Sequence, residues 1–141
     1  MSHYEERLEN DLNEIRQAVL SVGKVIGAAT KESVRALLQR NRAMASKVIL
    51  GDLNVNRTIR DIDRRCHAFV ARHLPSAGPL RFVSSVLRLD VGLERIGDYA
   101  VTIGREAVQL SQDAPPALAA DIEMMCDQAL AMYDQAMLAF E

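Results

Sequence analysis

Tryptophan is absent from this 141-residue chain, and aromatic residues make up only 4% of it. Strands draw on alternating aromatic and β-branched side chains, so this scarcity argues against a sheet protein. Proline is just as sparse, four residues in two clusters, Pro75/Pro79 and Pro115/Pro116. That composition suits long helices cut at two places. The only cysteines, Cys66 and Cys126, form no Cys-x-x-Cys pair and have no histidine at ligand spacing. They are expected to be reduced packing thiols, and a zinc site is disfavoured. No apolar run reaches 18 residues and the N-terminus is polar and acidic, so neither a helical membrane span nor a secretory signal is expected, and a cytoplasmic protein is predicted. Basic excess is missing too: 17 basic side chains face 19 acidic ones, which argues against bulk electrostatic capture of nucleic acid. With 49% hydrophobic and 26% charged residues and no degenerate stretch, the chain has the make-up of one ordinary globular domain.

What is present is helical periodicity. Leu8, Leu12, Ile15, Val19, Val22, Ile26, Ala29 and Ser33 alternate spacings of four and three, keeping to one helix face. The pattern fades at Gln39-Arg40-Asn41, where Asn41 is placed to cap a second helix. Val48, Asp52, Val55, Ile59, Ile62, Cys66 and Phe69 carry that helix to Leu74-Pro75, where proline disfavours the helical conformation of the residue before it. Phe82, Val86, Leu89, Leu93, Ile96, Ala100, Ile103, Ala107 and Leu110 form the most regular seam. After Asp113-Ala-Pro-Pro116, a fourth seam runs through Leu118, Ile122, Met125, Ala129, Met132 and Ala136. Short connections between such helices predict an all-α, antiparallel up-down bundle. Some of the glycines inside these segments are expected to allow close helix approach or a small bend, and at most one or two to mark a ligand site.

Motifs of nucleophilic catalysis, phosphate-cradling loops and metalloprotease helix pairs are lacking. Neither Glu94 nor Glu106 has the histidine three residues on that a di-metal bundle requires. His3, His67 and His73 are scattered and read as surface or half-buried side chains. The remaining constellation is Asp90, Glu94 and Asp98, each one turn from the next. Such a row is either a solvated acidic face or an all-oxygen patch for a hard cation. Asp52 sits on an apolar seam with Asn56 one turn later. A charge there needs a partner or water: an arginine such as Arg81 or Arg95, a place near a bundle end, or a ligand.

The stretch Leu93-Glu94-Arg95-Ile96-Gly97-Asp98-Tyr99-Ala100, preceded by Leu80-Arg81 and Pro75-Ser-Ala77, resembles the signature of PhoU proteins. Val48-Ile-Leu-Gly51-Asp52-Leu-Asn-Val-Asn56, with Ile62-Asp63 and Cys66, is similar to the family's second helix. The resemblance implies a fold built of three-helix repeats and a non-enzymatic, cytoplasmic regulator of phosphate homeostasis. Such proteins bridge the ATPase of the phosphate ABC transporter and the phosphate-sensing histidine kinase, and repress phosphate uptake and signalling.

The resemblance also implies multinuclear surface clusters of divalent or iron cations held by Glu/Asp-x-x-x-Asp motifs. Glu94 and Asp98 match that motif, Asp52 and Asn56 are secondary candidates, and Arg81, Arg95 and Gly97 belong to the signature. Two departures stand out: Pro79 replaces the aspartate that usually precedes Leu-Arg, and no second Glu-Arg-Ile-Gly-Asp signature appears. By that comparison residues 1–112 form one full repeat, and 113–141 a linker plus the first helix of a second. A helix without its usual partners exposes apolar surface, which predicts a homodimer through the fourth helix. Competing readings are a metal-dependent hydrolase or oxidoreductase using Asp90, Glu94 and Asp98, and a purely structural coiled-coil module.

Overall fold

The computed structural model describes residues 3–141. It contains four helices, α1 (His3–Gln39), α2 (Arg42–His73), α3 (Ala77–Gln109) and α4 (Pro116–Phe140), and no strand among the described residues. The chain punctuation foreseen in the sequence sets their ends. Asn41 Oδ1 accepts a hydrogen bond from the Met44 backbone N–H at 3.0 Å, satisfying one of the free donors at the start of α2. Arg40, in the left-handed region at φ 52°, makes the sharp turn before it. Leu74 adopts φ 44° ahead of Pro75, and its N–H donates to Val70 O at 3.0 Å, closing α2. Pro116 opens α4 at a position where its missing N–H leaves nothing unpaired. Asn41→Ala is expected to cost roughly 1 kcal/mol in urea unfolding, the usual cost of losing such a cap. An unchanged midpoint would show that the α1–α2 turn is held by other contacts.

Cross-helix pairs fix the topology. Glu32 meets Lys47, Glu14 meets Arg65 and Asp11 meets Arg72, so α1 and α2 run in opposite directions. Ile49 packs at Gly104 and Asp52 at Gly97, so α2 and α3 are antiparallel as well. Between these three helices lies the core, dominated by Ile15, Ile26, Ile62, Phe69, Val86 and Leu93.

The fourth helix is different: it packs along α1 and contains no buried residue. Gly23 and Gly27 let it approach, because a Cβ at Gly23 would collide with Met137, and one at Gly27 would lie 3.1 Å from the Tyr133 ring. Tyr133 OH donates to Gly23 O at 2.7 Å, and Arg16 Nη1 to Glu141 O at 3.0 Å, so α4 runs antiparallel to α1. Only at its last turn does α4 reach α3, where Phe140 stacks on Phe82 with ring centroids 5.8 Å apart.

Two seams differ from the sequence reading. In α3 the buried stripe is Val83, Val86, Asp90, Leu93, Gly97, Ala100, Gly104 and Ala107, whereas Phe82, Leu89, Ile96, Ile103 and Leu110 are only half-buried. Glycine and aspartate hid the true stripe, because a hydrophobic pattern does not count them. In α4 the packed residues include Ile122, Tyr133, Met137 and Phe140, while Leu118, Met125 and Met132 of the expected seam point to solvent. Both flanks of α4 are apolar, so periodicity alone had no means to choose between them.

Candidate functional site

The signature residues lie where α2 and α3 pass each other. At Gly97 a Cβ would fall 3.8 Å from Asp52 Oδ1 and 3.8 Å from Val55, ordinary contact distances, so α3 passes beside the Asp52 carboxylate here. Asp52 is half-buried, and its Oδ2 accepts a hydrogen bond from Asn56 Nδ2 at 2.8 Å one turn along. Neither Arg81 nor Arg95 pairs with it; both are exposed on the outer side of α3, so of the three partners weighed for this seam carboxylate the arginine is excluded. Glu94 and Asp98 flank Gly97 in sequence, are exposed, and form no ion pair among the described residues.

The structure therefore brings Asp52 on α2 up to Gly97 of α3, with Asn56 hydrogen-bonded to Asp52 one turn along α2 and Glu94 and Asp98 on the same stretch of α3 as Gly97. Asn56 Oδ1 is buried and accepts no hydrogen bond. That orphaned oxygen, beside a carboxylate with a free Oδ1, is a hard donor set of the kind Mg²⁺, Ca²⁺, Mn²⁺ or iron accepts. Among the described residues no three His, Cys, Asp or Glu side chains converge at ligand distance, so the carboxylates present are few, and Glu94 and Asp98 are open to solvent.

Asp90 does not belong to this group. Although four residues from Glu94, it faces the core and is only 4% exposed. Steps of four residues advance about 40° around a helix, so a row of three turns by ~80° and walks from the interior to the surface. Neither oxygen of the Asp90 carboxyl has a hydrogen-bond partner. Burial, and secondarily the charge of Asp63, push its pKa up to about 7. Beside it the Cys66 thiol is buried and held near 12 by the same desolvation, an inert packing group as its sequence context suggested.

One polar cluster was missed by sequence reasoning. His73 is buried, contrary to its reading as a surface or half-buried residue at most, and its Nε2 lies 2.8 Å from Asp11 Oδ2, which also accepts from Arg72 at 2.7 Å. The hydrogen bond with His73, ahead of that with Arg72, holds the Asp11 carboxyl below its ordinary value. Sixty-odd residues separate the partners, and no local spacing announces them. With Phe69 packed against the His73 ring at 4.8 Å, the cluster ties α1 to the end of α2.

Residues 19–107 match the PhoU domain. The chain belongs to the PhoU family. It is 31% identical over 139 residues to the phosphate-specific transport system accessory protein PhoU homolog of Pseudomonas putida, covering 98% of this chain and 54% of that one. With the homolog of Aquifex aeolicus it shares 29% identity over 134 residues, 95% of this chain and 61% of the relative. The crystal structure of PhoU from Pseudomonas aeruginosa superposes with a TM-score of 0.88 at 29% identity, over 94% of this chain and 64% of that one. PhoU from Streptococcus pneumoniae, described as a phosphate transport system regulatory protein, gives 0.83 at 28%, over 94% and 62%. The chain thus spans little more than half the length of these curated relatives. No helix among the described residues is long and apolar enough to cross a membrane.

Proposed function

We propose that this chain is a non-enzymatic, cytoplasmic accessory regulator of phosphate transport. In this reading it bridges the ATPase of a phosphate ABC transporter and a phosphate-sensing histidine kinase, and restrains uptake and signalling. The observation that carries the proposal is the match across residues 19–107 joined to the same bundle geometry in PhoU structures. Residues 1–112 act as the repeat that recognises partners through its outer helix faces, and 113–141 as a linker and an added helix. Through that added helix the chain forms a homodimer, supported by the absence of any buried residue in α4.

Divalent or iron cations, as a surface cluster, belong to the same reading. Asp52, Asn56, Glu94 and Asp98 would hold them, and the support is the orphaned Asn56 oxygen beside the free Asp52 Oδ1. When bound, such a cation supplies positive charge that draws the α2 and α3 donors together. Glu94 and Asp98 are open to water, which suits a structural or regulatory ion better than the enclosed site a hydrolase or oxidoreductase needs. Asp90, which that enzymatic reading requires as a ligand, is turned into the core.

Co-purification with the transporter ATPase, read together with a phosphate-starvation reporter in a strain lacking the chain, tests the role. Binding and derepression are expected; no binding and an unchanged reporter would sink it. Elemental analysis tests the ligands separately. Glu94→Ala/Asp98→Ala is expected to lose most of the metal carried by the wild type, and equal metal in both proteins refutes the assignment.

A further inference from the structure

Charge is unevenly spread along the chain. Residues 57–95 hold eight arginines, no lysine and four acidic residues, a net +4 within a chain of net −2. Arg40, Arg65 and Arg72 join one element to another through ion pairs. Arg57, Arg88 and Arg95, by contrast, are exposed and form no ion pair among the described residues, and Arg64 pairs only with Asp61 of its own helix. Arg57 and Arg64 are seven apart on α2, as Arg88 and Arg95 are on α3, so each pair keeps to one helix face within ~20°. The contacts of Ile49 with Gly104 and of Asp52 with Gly97 set the antiparallel register. That register places Arg57 level with Arg95, and Arg64 level with Arg88, to within about one turn.

These arginines border the outer side of the α2–α3 pair. On α3, Val91 is nine positions from Phe82 and so ~180° round the helix. It therefore points away from α4, which Phe82 meets through Phe140. Leu80 shares the direction of Val91 to within ~20°. On α2, Leu53 and Arg60 share a face that is turned ~120–140° from Arg65, the residue that meets Glu14 of α1. Leu53, Leu80 and Val91 are exposed by 54%, 43% and 57%. A strip of apolar side chains thus runs along this face with an arginine row on each border. No part of it is formed by α4, which packs along α1.

An apolar strip edged by guanidinium fits an apolar seam edged by carboxylate. Asp61 and Asp63 stand among the α2 arginines, and Glu94 and Asp98 between the two rows, so the positive field is interrupted. A membrane or a nucleic acid is anionic throughout and is repelled at those points, whereas a protein helix sets its charges residue by residue. The spacing agrees, because arginines seven apart lie ~10.5 Å apart along the axis, two turns of any α-helix laid beside them. Resting on the adaptor reading, we infer that the outer α2–α3 face docks an amphipathic helix of a partner protein, with its apolar seam on Leu53, Leu80 and Val91 and its bordering Asp or Glu side chains on the four arginines. Arginine suits this role because its planar fork holds a carboxylate through two hydrogen bonds. Salt weakens the contact, because its borders are charged.

Fluorescence anisotropy with a synthetic helical peptide, a leucine seam bordered on both sides by glutamate, tests the face directly. Binding that weakens with salt is expected. Arg57→Glu/Arg64→Glu/Arg88→Glu/Arg95→Glu, all at exposed positions, is expected to raise the dissociation constant about tenfold or more. The same peptide with lysine in place of glutamate is expected to prefer that variant to the wild type. Val91→Asp is expected to weaken the glutamate peptide as well, with helical circular dichroism verifying the fold of each variant.

No binding of the glutamate peptide, or equal binding by wild type and arginine variant, overturns the face. Capture by phosphatidylglycerol vesicles or duplex DNA at lower concentration than the peptide, lost in the variant, overturns a protein helix as the occupant. The adaptor role is read separately from co-purification with the transporter ATPase. A transporter contact that survives all four reversals overturns this face as its docking site and leaves the role standing. Peptide binding without any transporter contact sinks the role and leaves the face.

Discussion

Asp90→Asn is expected to stabilise the protein above neutral pH, by up to about 4 kcal/mol, while leaving it nearly unchanged below pH 4. The sign follows from which state holds the proton. In the unfolded chain this carboxyl titrates near 3.8, and in the folded protein near 7, because burial penalises its charged form and Asp63 adds repulsion. Between those values the folded state binds the extra proton, so stability falls as pH rises through the window and levels off above the folded value. A gap of about three pKa units at ~1.36 kcal/mol each sets the upper size of the effect. Asparagine has a similar shape and no proton to lose, so its stability curve lacks this slope. Urea unfolding of both proteins from pH 4 to pH 8.5 is the measurement. Parallel curves would show that Asp90 finds water or a partner in solution and that its burial is not paid for in protonation.

Phe69→Ala is expected to cost roughly 3–5 kcal/mol, the range for emptying a large buried aromatic site. Phe69 is 2% exposed, belongs to the core shared by α1, α2 and α3, and packs its ring against buried His73. The loss therefore includes the ordering of the His73–Asp11–Arg72 cluster. For a domain of this size such a cost removes a large part of the total stability. A fall in melting temperature of less than ~5 °C would mean that α1 and α2 repack around the cavity. The contrast is Met132→Ala on the outward flank of α4, exposed by 71%, where truncation removes almost no folded-state packing within one chain.

Much of this arrangement is legible in the residues. Four helices, their breaks at Asn41, Leu74-Pro75 and Pro115-Pro116, and an all-α bundle follow from local chemistry, because capping and proline sterics act within a few residues. Glu94-Arg95-Ile96-Gly97-Asp98 marks the candidate site for the same reason: a contiguous stretch on one helix needs no tertiary knowledge to be seen. The His73–Asp11 pair was invisible, since nothing local relates residues 62 apart in sequence.

The split of the acidic row was equally hidden from spacing. Asp90, Glu94 and Asp98 look equivalent in the sequence, and only the position of α2 makes the first a buried, hard-to-ionise group and leaves the other two in water. The two-faced α4 shows the same limit: both flanks satisfy the periodic pattern, and the packing of Tyr133 and Met137 against Gly23 chooses one of them. By itself, then, the sequence determined which segments are helical, where they stop and which residues carry the family signature, all short-range matters of backbone sterics and pattern. Which face of each helix is buried, which carboxylate is desolvated and which apolar flank is left open were decided only by tertiary structure. Burial depends on what lies across the interface, and that neighbour is remote in the chain.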